Sequence, residues 1–212
     1  MLGTRVILAD DHILMLDALK NLLESEFEVV GTFADGRALV EAAPKLKPDV
    51  IVLDIGMPLM NGLNAGQRLK RLMPAVKLIY LTMNQDQDMA AEAFRLGANG
   101  YLLKHSAASE LVDAIRQVVR GGCYVTSLMT EDVVGSLTNH FKKLKSTNHL
   151  TLRQKEVLQL LAEGRSMKEA AFILNVSPRT VAFHKYTMMD HLHIKTSAEL
   201  VQYAMNSQLV AV

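Results

Sequence analysis

The chain has 212 residues, a single cysteine and a formal net charge of +1, and half of its residues are apolar. At about 100–200 residues per domain this allows one large domain or two small ones, and a chain this apolar and this near neutral is not disordered. The lone Cys123 excludes a disulfide framework and a multi-cysteine zinc site and fits a reducing cytosol. No apolar run approaches the ~18–20 residues of a membrane-spanning helix, and Arg5, Asp10 and Asp11 come too early to leave a secretory signal core. A cytoplasmic location away from membranes is expected.

The neutral total hides an asymmetry. Residues 1–122 hold 13 Lys/Arg against 15 Asp/Glu, a net of −2, whereas residues 123–212 hold 10 against 7, a net of +3. From His140 onward the balance is 10 against 5, a net of +5, and five of the seven histidines lie there. An acidic front and a basic back point to two units with different partners, although charge alone does not name them.

In the front half, five short β-branched or Leu-rich runs recur: Arg5–Ala9, Glu28–Phe33, Val50–Asp54, Val76–Thr82 and Gly100–Leu103. Between them lie stripes at helical spacing, such as Met15, Leu19, Leu22 and Leu23, then Met89, Ala93 and Leu96, then Leu111, Ile115, Val118 and Val119. Apolar strands alternating with amphipathic helices predict a parallel sheet covered on both faces. Gly121-Gly122 stops the fifth helix. Five such units predict a doubly wound α/β domain, flavodoxin-like, with a five-stranded parallel sheet in the order 2-1-3-4-5.

That architecture binds ligands beyond the carboxyl ends of its strands, and the polar residues stand there. Asp10 and Asp11 follow strand one, Asp54 ends strand three, Thr82 ends strand four and Lys104 ends strand five. Three close carboxylates resist staying ionised together, and a hard divalent cation such as Mg²⁺ relieves them. Asp54 between cation and ammonium then suits attack on a phosphoryl group, with Mg²⁺ and Lys104 offsetting the charge that develops and Thr82 donating to a phosphoryl oxygen. Singly, each residue has a plainer explanation as a cap, a strand residue or a surface group. Jointly, five of them at four strand ends point to one site.

Asp10-Asp11, Asp54-Ile-Gly-Met-Pro58, Thr82 and Tyr101-Leu-Leu-Lys104 resemble the receiver domain of bacterial two-component response regulators, over roughly Arg5 to Gly121. The resemblance implies that Asp54 accepts a phosphoryl group from a sensor histidine kinase. It implies that Asp11, Asp54 and the Gly56 carbonyl ligate Mg²⁺ with help from Asp10, that Lys104 pairs with the phosphoryl group, and that Thr82 and Tyr101 are the switch residues. His105 stands where many receivers carry proline.

The back half is rich in helix starts. Thr151-Leu-Arg-Gln154, Ser166-Met-Lys-Glu169 and Thr196-Ser-Ala-Glu199 fit the capping box S/T-x-x-E/Q, and Ser177-Pro178 places serine at an N-cap with proline behind it. Gly164 suits a helix terminator. The expected helices cover about 152–163, 167–174, 178–193 and 197–206. Only Asn175-Val176-Ser177 separates the second from the third, a helix-turn-helix spacing that lays the later helix in the DNA major groove. Val181, Met188 and Leu192 are expected inward, with Arg179, Phe183, Tyr186 and Asp190 outward and Ala182 and Lys185 on the flanks. A helical protein-binding domain is the plainer alternative.

Leu150 to Leu200, with Val176-Ser-Pro-Arg-Thr-Val181 followed by His184, resembles the LuxR-type helix-turn-helix. A receiver joined to this unit is the NarL/FixJ class of response regulator, in which a phosphorylation-controlled homodimer binds a double-stranded operator. The resemblance implies DNA contacts from Arg179, Thr180, Ala182, Phe183, Lys185, Tyr186 and Lys195. Ala182 replaces a customary basic residue and His191 a customary lysine. Phe183 suits a thymine methyl and Tyr186 a phosphate or base edge, while Arg179, Lys185 and Lys195 suit the backbone.

The expected domains are a receiver over 1–122, a partly helical linker over 123–148 and a DNA-binding unit over 149–212. In the linker, Val134, Leu137, Phe141 and Leu144 step by three and four, so Glu131–Lys145 suits an amphipathic helix docked on its own domains or, alternatively, a dimer seam. Two rival functions share parts of the pattern. One is a Mg²⁺-dependent aspartyl phosphohydrolase. The other is a phosphorylation-independent DNA-binding protein whose receiver serves only to dimerise.

Overall fold

A computed structural model describes residues 3–83, 85, 87–127 and 150–206. The helix expected over Glu131–Lys145 lies outside the described residues. In the front half, β1 (Arg5–Ala9), α1 (Ile13–Leu23), β2 (Glu28–Phe33), α2 (Gly36–Leu46), β3 (Val50–Asp54), α3 (Gly62–Leu72), β4 (Lys77–Thr82), α4 (Gln87–Arg95) and β5 (Gly100–Leu103) alternate, followed by a 3₁₀ turn at Lys104–Ser106, α5 (Ala107–Val119) and β6 (Tyr124–Val125). The sheet order is β2-β1-β3-β4-β5-β6, with every pair parallel.

Alternation along the strands divides the core. Val6 and Leu8 of β1 face α1 and α5 through Leu19, Leu23, Leu111 and Ile115. Ile7 and Ala9 face α2, α3 and α4 through Leu39, Leu69 and Ala93. Central β3, Val50 to Asp54, is buried on both sides, as helix-covered parallel strands require.

The expected five strands stand in the expected order, and a sixth extends the sheet. Gly121, at φ +92°, turns the chain out of α5, so that Tyr124 and Val125 pair with Gly100 and Tyr101. Glu110 fastens the strand, accepting from the Thr126 hydroxyl at 2.6 Å and the Tyr124 hydroxyl at 3.3 Å.

The back half folds as α6 (Leu152–Ala162), α7 (Met167–Leu174), α8 (Pro178–His191) and α9 (Ser197–Asn206). The caps set these boundaries. Thr151 with Gln154 and Ser166 with Glu169 form complete capping boxes, and the Ser177 hydroxyl accepts from the Thr180 N–H. At Thr196 the box is altered: its hydroxyl takes the Glu199 N–H, but Glu199 returns its carboxylate to the N–H of Lys195. Leu158, Leu160, Ala170, Val181, Met188 and Leu200 form the core of this unit, and Leu59 of the front half packs against it.

Candidate functional site

The carboxyl ends of β1, β3 and β5 bring together the acidic pocket that the sequence predicts. Asp10, Asp54 and Lys104 are all buried, and Asp11 is partly open. Lys104 Nζ lies 2.8 Å from Asp10 Oδ2 and 3.1 Å from Asp54 Oδ2. Burial pushes the Asp54 carboxyl above its usual range; Asp10 adds to the rise, while Lys104 and the Gly56 N–H oppose it. Burial pulls the Lys104 ammonium down, but Asp10 and Asp54 more than offset this and leave it raised.

Donor oxygens of Asp10, Asp11 and Asp54 and a ring nitrogen of His12 lie within 4.8 Å of one another. Three carboxylates against one ammonium leave an excess of negative charge in a mostly dry pocket, so the donor set fits a hard divalent cation. His12 was not among the expected site residues. It forms the N-cap of α1 without a side-chain cap bond, and its Nδ1 stands 2.9 Å from Asp11 Oδ1 and 3.1 Å from Asp10 Oδ1.

The other two receiver positions lie within the sheet. Thr82 is buried at the end of β4, next to Leu103 in register. Tyr101 is fully buried on the α2–α4 face, opposite Tyr80 in register.

The loop from Ile55 to Asn61 after Asp54 is tightly closed. The Gly62 N–H donates to the Ile55 carbonyl at 2.9 Å, and a Cβ on Gly62 would overlap the Asp54 carbonyl. Leu59 takes a left-handed φ of +63°, which non-glycine residues seldom adopt.

On the back half, α8 turns Val181 and Met188 inward and leaves Arg179, Phe183, Tyr186 and Asp190 exposed. Phe183 is 65% and Tyr186 60% exposed. Lys185 Nζ donates to the Ser197 hydroxyl at 2.8 Å and lies 5.7 Å from the Tyr186 ring centre. Lys195 is exposed, Ala182 is half-buried, and the Thr180 hydroxyl is paired with Ser177 at 2.9 Å. Phe172 on α7, 89% exposed, escaped the sequence reading because a lone aromatic in a short helix reads as core. An exposed surface of cations and aromatics suits the phosphates and base edges of a duplex.

The response regulator receiver domain family matches residues 6–116, and the luxR family of bacterial regulatory proteins matches residues 148–204. The oxygen regulatory protein NreC of Staphylococcus carnosus is 35% identical over 97% of this chain and 99% of its own. The RcsB response regulator of Salmonella typhimurium superposes with a TM-score of 0.67 at 29% identity, covering both chains completely. RcsB of Salmonella enterica serovar Typhimurium bound to promoter P1flhDC with the phosphomimetic BeF3− superposes with a TM-score of 0.63 at 29% identity, over 99% of this chain and 100% of that one.

Proposed function

The chain belongs to the NarL/FixJ-type response regulators, transcriptional DNA-binding proteins rather than turnover enzymes, and from that premise we propose that Asp54 accepts a phosphoryl group from a sensor histidine kinase and thereby controls dimerisation on DNA. Membership removes the phosphohydrolase alternative. Among the described residues no helix is long and apolar enough to cross a membrane. Because β6 pairs with β5, the receiver runs past the expected boundary at 122 through Val125, the linker takes the residues from there to 148, and the DNA-binding unit covers 149–212, in the cytoplasm.

The observation that carries this reading is the convergence of buried Asp10 and Asp54 on Lys104. Asp10, Asp11, Asp54 and the Gly56 carbonyl would hold a Mg²⁺, which would supply positive charge for the phosphoryl oxygens. An Asp54 carboxylate oxygen attacks phosphorus in line, the P–N bond to the kinase histidine breaks, and its electron pair returns to the imidazole. Lys104 stays within reach of the new acyl phosphate and offsets its charge. Thr82 and Tyr101, on the adjoining strands, register the added group and bias the receiver between two arrangements.

On DNA, Arg179, Lys185 and Lys195 serve the phosphates, and Thr180, Ala182, Phe183 and Tyr186 face the groove. A back half of net +5 grips a duplex weakly alone, so pairing two copies supplies affinity through effective concentration. Intact-mass measurement tests the first step. Acetyl phosphate with Mg²⁺ adds one phosphoryl group to the wild type and none to Asp54→Asn or to wild type in EDTA. Equal labelling of Asp54→Asn places the chemistry elsewhere.

A further inference from the structure

The loop after Asp54 is held by the other half of the chain. Gln159, on α6, is 1% exposed. Its Oε1 accepts from the Asn61 N–H at 2.8 Å, and its Nε2 donates to the Met57 carbonyl at 2.9 Å. One amide thus pairs with backbone groups on both sides of the turn, as a neighbouring strand would. Nε2 also donates to Glu163 at 2.8 Å, and the same Glu163 oxygen accepts from the Leu59 N–H at 3.2 Å.

Further contacts lie alongside. Glu156, also 1% exposed, pairs with Arg68 of α3 and, at 2.9 Å, with Arg153. Lys155 reaches Glu92 of α4 at 3.5 Å. The exposed Phe183 and Tyr186 take no part, so this docking does not work by covering that face of α8.

Two features tie the docking to the phosphoacceptor. Met57 follows Gly56, whose N–H supports Asp54, and Gly62 closes the loop back on Ile55, so a shift at Asp54–Gly56 reaches Met57 within one peptide unit. The N–H groups of Leu59 and Asn61 are also committed to Glu163 and Gln159, which draws the loop's donors toward α6. An added phosphoryl group, with its charge of about −2, recruits donors of this kind. The latch and an occupied Asp54 therefore act on one loop, the first at Met57–Asn61 and the second at Asp54–Gly56.

The geometry points to Gln159 as a positioning residue for the phosphoacceptor loop, contributed by the DNA-binding unit: its amide holds Met57–Asn61 in the latched shape, and occupancy of Asp54 and release of α6 are linked. This rests on the reading of Asp54 as the phosphoacceptor. Linkage is reciprocal, so whatever factor separates α6 on occupancy also strengthens occupancy when the latch is cut.

The test uses the full chain with beryllofluoride and Mg²⁺. Amide exchange is read at Leu59 and Asn61, and beryllofluoride affinity by fluorine NMR. In the wild type, occupancy speeds exchange at both amides at least about fivefold, the low end of typical coupling. In Gln159→Ala both amides exchange fast without the ligand, and beryllofluoride binds tighter by a similar factor. Glu163→Gln keeps an acceptor for Leu59 and stays close to wild type, which a general weakening of α6 would not predict. Arg68→Ala loosens the same docking from the receiver side and guards against a misfolded Gln159→Ala. If beryllofluoride binds with unchanged exchange, and neither Gln159→Ala nor Arg68→Ala alters its affinity, the latch is wrong while the phosphoacceptor stands. If beryllofluoride does not bind and acetyl phosphate adds no mass, both fall.

Discussion

Tyr80 and Gly66 fit together through the side chain that Gly66 lacks: a Cβ there would overlap the Tyr80 hydroxyl. That hydroxyl is buried with no hydrogen-bond partner among the described residues, and burial raises its pKa. Gly66→Ala therefore forces α3 off β4 and destabilises the front half by about 1–3 kcal/mol. Tyr80→Phe removes an unsatisfied hydroxyl and is close to neutral. Combined with Gly66→Ala it recovers part of the loss, since the ring Cζ stays 2.8 Å from the added Cβ, and denaturant melts of the four proteins yield the coupling energy. Additive losses would contradict the overlap.

The acidic pocket predicts a stability inversion. Because the folded state raises the Asp54 pKa, it favours the protonated carboxyl. That contribution is complete below the ordinary value of 3.8 and is lost as pH rises through the raised value. In EDTA at neutral pH, Asp54→Asn melts above the wild type, and the gap closes as pH falls toward 4. Mg²⁺ reverses the order, because it stabilises only a site that binds it. Thermal melts across pH with and without Mg²⁺ check both halves.

Lys104 balances the same pocket from the other side. Lys104→Met leaves Asp10 and Asp54 facing each other without their ammonium, which costs about 3–5 kcal/mol for a buried pair. The variant gains more in melting temperature from Mg²⁺ than the wild type does. An equal gain would mean that the ammonium does not offset the carboxylates.

On DNA, the side chains of α8 divide by role. Arg179→Ala weakens binding to every sequence alike and flattens the salt dependence by about one unit. Phe183→Ala leaves the salt slope unchanged and relaxes discrimination at one base position by about 1–3 kcal/mol. Titrations at several salt concentrations, on an operator and on scrambled DNA, separate the two.

Residues whose chemistry is local were legible in the sequence. The apolar strands gave the sheet order, and their ends gave Asp10, Asp54 and Lys104 as neighbours, because a parallel sheet aligns its carboxyl ends. Ser166 with Glu169 and Ser177 with Pro178 marked helix starts that hold to the residue. Features that depend on tertiary context stayed hidden. The two residues of β6 are too few to show a period. Gln159 and Glu156 look like a solvated helix face, yet they are buried because receiver backbone and Arg68 supply their partners. His12 enters the pocket through the turn after β1, which no spacing rule describes.

In the proposed function, phosphorylation of Asp54 strengthens DNA binding through dimerisation. The most direct test titrates operator DNA with wild type and Asp54→Asn, each with and without acetyl phosphate and Mg²⁺, while sedimentation reports the size of each species. Tighter binding and a dimer are expected for phosphorylated wild type alone, with Asp54→Asn weak and monomeric throughout. Equal affinity and equal size in all four samples would contradict it.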